Sequence, residues 1–205
     1  MNLLKDIESF NKSHLKHADT FVTTPDGRRL IEGLDSDGKP KVALLSTGCY
    51  GFVGDMKPDL QCAEILPGLY LGSQDVAQER DVLEKNKITH ILNVATGVLN
   101  MFPKRFTYRK LDILDLPETN ILDSFDDCFK FISKGRKKGH VLVHCNAGVS
   151  RAASICIGYV MKYEQKKFKD AYEFVKSKRE RIRPNDGFVS QLKTYEAMLK
   201  AEQKH

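Results

Sequence analysis

No stretch of the chain stays apolar long enough to cross a bilayer. Nothing near its start has the form of a secretory signal, because Lys5 and Asp6 interrupt the first apolar residues. Asn2 excludes N-myristoylation, and the closing Lys204-His205 is no prenylation box. Cysteines are few, scattered and odd in number: Cys49, Cys62, Cys128, Cys145 and Cys156. That pattern excludes a disulfide framework and a zinc-type spacing, and it fits a reducing compartment. No internal repeat is visible. The expectation is a cytoplasmic protein, extending to the nucleus, with no membrane partner and no bound metal.

What is present reads as ordinary globular protein, 41% hydrophobic and 29% charged over 205 residues. That length holds one sizeable core plus an extension. The net charge of +6 is uneven, with nine Lys/Arg against four Asp/Glu between Lys162 and Arg183. Such a run steers acidic or phosphorylated partners, or is simply a solvated helix face. No nucleic-acid recognition module accompanies it, so nucleic acid is not an expected partner.

Leu3, Leu4, Ile7 and Phe10 have helical spacing and predict a short amphipathic helix. Residues 21–31 read as two short strands around Pro25-Asp26-Gly27. Asp35–Pro40 and Gly48–Pro58 are rich in turn residues, so 1–58 is set apart as an N-terminal extension, with a compact domain over 59–200 and a tail over 201–205. Within the domain, strands are expected over Ala63–Ser73 (a pair around Pro67-Gly68), Ile88–Val94, Phe106–Asp112 and Val141–His144. Helices are expected in two pieces over Asp75–Asn86, then over Ile121–Lys138, Ala152–Tyr163, Phe168–Lys178 and Gly187–Leu199. Alternating strands and helices imply an α/β fold: a central, mostly parallel mixed sheet of about five strands flanked by helices.

One stretch organises the rest: Val141-Leu-Val-His-Cys-Asn-Ala-Gly-Val-Ser-Arg-Ala-Ala153. A buried strand ends at His144 and Cys145; small residues follow, with Gly148 free to take unusual backbone angles; Arg151 then opens an apolar helix. A cysteine at the carboxyl end of a central strand, facing a helix N-terminus, lies where α/β sheets place their ligand crevices. Successive N–H groups of such a loop form an anion cradle, and the helix dipole adds positive potential. The Arg151 guanidinium fits two phosphate oxygens, and the same field favours a nucleophilic thiolate at Cys145.

His144-Cys145-x5-Arg151, in the form His-Cys-x-Ala-Gly-x-Ser-Arg, resembles the signature of the cysteine-dependent protein tyrosine phosphatase superfamily and of its dual-specificity branch. Leu69–Ser73, His90–Val94, Tyr108–Asn120 and Pro184–Phe188 extend the resemblance over residues 59 to 200. No rhodanese-like docking domain precedes the signature, so the match is to the atypical members. The resemblance implies a protein tyrosine phosphatase-like fold and hydrolysis of phosphoproteins through a phosphocysteine, without a cofactor. It assigns Cys145 as nucleophile and Arg151 with Asn146, Ala147, Gly148, Val149 and Ser150 as the substrate cradle. His144, Asn120 and Asn185 are supporting residues; Asn120 matches a position that steadies the acid loop, and His144 orients the cysteine backbone.

Expelling an alkoxide or phenoxide needs a positioned acid. Asp112 and Asp115 both leave the strand around Tyr108. Asp112 alternates with Leu111 and Ile113 as an outward strand residue would, whereas Asp115 opens a loop thirty residues before Cys145, where the family carries its general acid. Asp115 is preferred. So compact a domain lacks the inserted loops that deepen strict phosphotyrosine pockets, implying action on phosphoserine and phosphothreonine as well. The absence of lysine from the loop argues against phosphoinositides. The family resemblance implies partners among kinases of stress-activated MAP-kinase signalling, the JNK branch. Two other readings stay open: a weakly active kinase-binding scaffold, for which Arg28–Ile31 and Lys39–Leu45 loosely resemble docking peptides, and an RNA 5′-phosphatase. One departure stands out: Ala152 replaces the Ser or Thr that most members carry after the loop arginine.

Overall fold

The computed structural model describes residues 20–23, 29–34, 37, 40–46 and 58–202. The helix expected over residues 3–10 lies outside them. Contacts divide the chain into two units, Met1–Tyr50 and Gly51–His205.

The first unit contains an antiparallel sheet of β1 (Thr20–Thr23), β2 (Arg29–Leu34) and β3 (Pro40–Ser46) in that order. β1 and β2 form the expected pair, with Phe21 opposite Ile31. The third strand was not expected. Its apolar residues Val42, Ala43, Leu44 and Leu45 are consecutive and read without alternation, yet their backbone pairs with β2, Leu44 opposite Leu30. The two docking-like segments therefore coincide largely with β2 and β3.

In the second unit β4 (Ala63–Leu66) and β5 (Leu69–Gly72) form an antiparallel pair that turns at Gly68, which has a φ of 75°. Helices α1 (Gln74–Gln78) and α2 (Arg80–Lys85) follow, then β6 (Ile88–Asn93) and β7 (Thr107–Lys110). A 3-10 turn at Leu122–Ser124 leads into α3 (Phe125–Arg136), then β8 (His140–His144), α4 (Arg151–Tyr163), α5 (Phe168–Lys178) and α6 (Asp186–Glu202). The sheet order is β4-β5-β8-β6-β7, and every pairing except β4–β5 is parallel. This is the five-stranded mixed sheet that the alternation of elements implied.

β8 is central, and its side chains alternate between two cores. Val141 and Val143 join Phe125, Phe129, Ile157, Val175 and Leu192 from α3 to α6. Leu142 joins Tyr70, Ile91, and Val76 and Leu83 from α1 and α2. Helices thus cover both faces, and a parallel sheet so covered needs apolar residues at every central position.

Two local differences matter. The strand expected over Phe106–Asp112 ends at Lys110, so Asp112 is not a strand residue. It lies just past the strand, 62% exposed, and pairs with Lys110 at 3.3 Å. The helix expected from Ile121 begins instead as a 3-10 turn, in which the Ser124 amide donates to the Ile121 carbonyl at 3.1 Å, and Asn120 Oδ1 accepts from the Leu122 amide at 3.2 Å.

The larger core is centred on aromatic rings. Phe129 is 1% exposed and meets Phe125 at 4.8 Å, Tyr159 at 5.6 Å and Tyr195 at 6.3 Å between centroids. Phe129→Ala is expected to lower unfolding free energy by about 3–5 kcal/mol through the cavity it leaves. Urea denaturation would show this as a lower midpoint with an unchanged slope.

Candidate active site

Cys145 follows the last residue of the central strand and is 1% exposed. Five residues separate it from Arg151, the first residue of α4, whose Arg151–Met161 segment is buried throughout. The fully covered strand and helix hold both ends of the loop rigidly. At its middle, Gly148 has a φ of 64°, and a Cβ there would sit 2.4 Å from the Gly72 carbonyl oxygen. No other residue fits.

The loop's carbonyls decide its chemistry. Nδ1 of His144 lies 3.3 Å from the Cys145 carbonyl. The Asn146 carbonyl accepts from the Gln74 amide at 2.8 Å. Those of Ala147 and Gly148 accept from the Arg179 guanidinium at 2.9 and 3.0 Å. The Val149 carbonyl accepts from the Arg183 amide at 2.8 Å, and the Ser150 carbonyl from the Ser154 amide and hydroxyl at 2.8 and 2.9 Å. Across a trans peptide the C=O and the next N–H point in opposite directions. With six successive carbonyls tied into the surrounding protein, the amides of residues 146–151 are turned into the concave side, a nest for an oxyanion beneath the N-terminus of α4.

Arg151, Asp115, Ser150 and Asn185 converge at the rim. Arg151 is 8% exposed; it donates to the Ile113 carbonyl at 3.1 Å and to Asn146 Oδ1 at 2.7 Å, and its Nε lies 3.3 Å from Asp115 Oδ2. Asp115 Oδ1 accepts from the Ser150 hydroxyl at 2.7 Å and from Asn185 Nδ2 at 2.9 Å. Asn185 in turn accepts from the Phe188 amide at 2.9 Å, fixing the start of α6, and its own amide donates to Ser150 Oγ at 3.2 Å. The structure thus brings Asp115 to the loop and leaves Asp112 on the surface with Lys110.

Asn120 is not brought to the loop; it is exposed and caps the following turn. The acid loop is held instead by two residues of α6 that sequence reasoning did not single out. Gln191 accepts from the Ile121 amide and donates to the Thr119 carbonyl, both at 2.8 Å. Gly187 lies so close to the loop that a Cβ would fall 1.9 Å from the Pro117 carbonyl oxygen. Gly187 lies within the motif Pro184–Phe188, a signal that could have found it; nothing local marks Gln191 or Arg179.

Burial acts on three of the cysteines outside the loop. It pushes the thiols of Cys62 and Cys128 up to about 12 and that of Cys156 higher still, so all three are protonated and inert near neutral pH. Burial also pulls the His144 imidazole down to about 4, opposed only by its contact with the Cys145 carbonyl. His144 is therefore neutral at pH 7, and since a carbonyl can only accept, its Nδ1 carries the proton. Among the described residues no cluster of His, Cys, Asp or Glu could hold a metal ion, and no helix is long and apolar enough to cross a membrane.

A thiol at the start of a loop whose carbonyls are tied outward, with a guanidinium and a carboxylate bonded to that loop, can bind a tetrahedral oxyanion, attack it and move a proton. Comparison with known proteins bears on the family of the chain. A family model described as dual specificity phosphatase, catalytic domain, matches residues 69–198. The chain is 48% identical over 202 residues to dual specificity protein phosphatase 19 of Mus musculus, covering 95% of this chain and 90% of that one. It is 45% identical over 138 residues to MAP kinase phosphatase with leucine-rich repeats protein 3 of Dictyostelium discoideum, covering 67% of this chain and 16% of the relative. Among solved structures, a mouse putative dual specificity phosphatase complexed with zinc tungstate superposes with a TM-score of 0.66 at 28% identity, covering 76% of this chain and 97% of that one.

The depressed His144 value makes stability depend on pH. Between about 4 and the unfolded value of 6.5 the unfolded chain binds a proton that the folded protein refuses. Stability is therefore lost as pH falls through that window, by about 3 kcal/mol at its lower end. Urea unfolding from pH 6.5 to pH 4 is expected to show this loss over and above that of a His144→Asn variant.

Proposed function

The chain belongs to the family of dual-specificity phosphatase catalytic domains and is a protein tyrosine/serine/threonine phosphatase, and from that premise we propose that it works through a phosphocysteine at Cys145, on kinases of the JNK branch of stress-activated MAP-kinase signalling. The observation that carries the chemical part is the outward anchoring of six successive loop carbonyls beginning at Cys145, with Asp115 tied to the same loop through the Ser150 hydroxyl.

In the first step the Cys145 thiolate attacks phosphorus. The bond from phosphorus to the leaving oxygen breaks, and Asp115 gives that oxygen its proton. The inward amides of 146–151 and the Arg151 guanidinium hold the equatorial oxygens, where charge is concentrated in the transition state. In the second step water attacks phosphorus, Asp115 takes the water's proton, and the S–P bond breaks to regenerate the thiolate and release phosphate. Ser150 and Asn185 aim the Asp115 carboxylate, Asn146 and the Ile113 carbonyl aim Arg151, and His144 fixes the Cys145 peptide. The tungstate complex of the mouse neighbour supports oxyanion binding in this fold.

We assign the catalytic domain to 59–200, with 1–58 as an extension. The pathway reading is supported by the Dictyostelium relative, whose name is MAP kinase phosphatase. A nucleophile that must stay reduced supports a cytoplasmic location for the activity, extending to the nucleus.

Cys145→Ser is expected to abolish turnover while leaving phosphate binding largely intact. Asp115→Asn should slow phenyl phosphate hydrolysis by about a hundredfold or more, with little effect on aryl phosphates whose leaving groups need no proton. Turnover by Cys145→Ser, or the leaving-group pattern appearing in Asp112→Asn instead, would overturn these assignments. For the pathway, Cys145→Ser should retain phosphorylated JNK-branch kinases from a cell lysate; retention of unrelated phosphoproteins alone would reject it.

Ala152 carries a separate consequence. A hydroxyl at that position would donate to the sulfur as it leaves phosphorus in the second step. The neighbouring hydroxyls are engaged: Ser150 donates to Asp115, and Ser154 to the Ser150 carbonyl. Breakdown of the phosphoenzyme should then limit the rate, giving a phenol burst followed by slow turnover. Ala152→Ser is expected to raise kcat roughly tenfold and leave the burst rate unchanged. Absence of a burst together with no gain in the variant would show that this hydroxyl does not govern the second step.

A further inference from the structure

We infer that Arg179 is a positioning residue for the reaction: its buried guanidinium, held by Asp59, turns the Ala147 and Gly148 carbonyls away from the cradle so that the Gly148 and Val149 amides face the transferring phosphoryl group. The inference rests on the reading of the loop given under Proposed function.

Arg179 ends α5, its amide bonded to the Val175 carbonyl at 3.0 Å, and its side chain is 0% exposed. Burying a guanidinium is unfavourable unless its charge and its five N–H groups are all matched, and an apolar residue often serves stability equally well in such a place. Here the matching is complete. Nε donates to the Gly148 carbonyl at 3.0 Å. One terminal nitrogen donates to the Gln61 carbonyl at 3.0 Å and approaches Gln61 Oε1 at 3.3 Å. The other donates to the Ala147 carbonyl at 2.9 Å and pairs with Asp59 Oδ2. No N–H remains for a ligand, so Arg179 acts through the loop and does not touch substrate.

The planar fork is what the geometry requires. Two consecutive carbonyls must be captured from one side, and the peptide between them passes through Gly148 in the left-handed region, with Arg179 packed against that glycine. Were either carbonyl to rotate inward, its oxygen would meet a phosphate dianion and an inward N–H would be lost with it. Asp59 is itself immobilised: its amide donates to Asp75 Oδ2 at 2.9 Å, its carbonyl accepts from the Ser73 hydroxyl at 2.8 Å, and its carboxylate also meets Arg181 at 3.3 Å. The first turn of α1, the segment around Asp59 and the end of α5 thereby act on the phosphate loop through one side chain.

The test uses the full chain as wild type, Arg179→Lys, Asp59→Asn and Cys145→Ser. Steady-state hydrolysis of an aryl phosphate is measured with inhibition by inorganic phosphate and by orthovanadate, whose bipyramidal adduct resembles the transition state, and melting temperature is recorded. Lysine keeps the charge but cannot span two carbonyls and Asp59. Arg179→Lys is expected to lower kcat by about a hundredfold, with KM moving less, and to weaken vanadate about tenfold more than phosphate. Asp59→Asn should move both in the same direction by a smaller factor. A purely structural role predicts a lower melting temperature with kcat and the vanadate-to-phosphate ratio unchanged in folded protein; that result overturns the inference. If Arg179→Lys does not fold, the same two readouts on Asp59→Asn decide. Wild type without Cys145-dependent turnover would sink the proposed function; normal wild-type turnover matched by Arg179→Lys would sink only the role of Arg179.

Discussion

A planar peptide cannot present its oxygen and its hydrogen to the same side, and the site depends on that constraint. A cradle of inward amides requires that every carbonyl of the loop be accepted from outside it. The donors come from separate places in the chain: His144 at the end of β8, Gln74 at the start of α1, Arg179 and Arg183 after α5, and Ser154 within α4. Each lies in an element packed on the central sheet or in the segment joining two of them. Two buried cores on opposite faces of β8 hold these donors in register, so packing far from the sulfur sets the direction of the dipoles around it.

The carboxylate is positioned by a second, independent support. The loop that carries Asp115 lies on the first turns of α6, where Gly187 allows backbone to approach backbone, Gln191 bridges Thr119 and Ile121, and Asn185 both fixes the helix start and reaches Asp115. Ser150 links the two supports, since its hydroxyl donates to Asp115 while its carbonyl belongs to the cradle. The Asp115 carboxylate and the loop of Cys145 are therefore held by different helices that meet at one serine. Arg151 adds a charge contact across the same junction, from the first turn of α4 to Asp115 and to the Ile113 carbonyl.

Much of this was legible in the chain itself because it is local. The apolar strand, the small-residue loop and the apolar helix are contiguous, so Cys145, Gly148 and Arg151 follow from their order along the chain, and alternation of strands with helices sufficed for the sheet. Preference for Asp115 over Asp112 rests on loop against strand and on the spacing to Cys145 at which the resembled family carries its acid; the strand in fact stops at Lys110, and the two residues are separated by where the turn carries each one. The strand β3 was missed because a short consecutive apolar run carries no period that distinguishes it from other states.

Sequence alone marked Cys145 and Arg151 as the candidate reactive groups and set their spacing, since a strand, a tight turn and a helix N-terminus fix the near geometry of residues a few positions apart. Tertiary structure decided which way the loop's peptides face. Arg179, lying 34 residues beyond Cys145, reads in sequence as one more cation in a basic run. Only folding removes it from water, sets it beside Asp59 and spends its donors on the carbonyls of Ala147 and Gly148. Gln191 and Asn120 show the same division in reverse. The residue whose motif suggested support caps a surface turn, while an unmarked glutamine holds the acid loop, because a hydrogen bond between distant segments leaves no periodicity or local composition by which to be found.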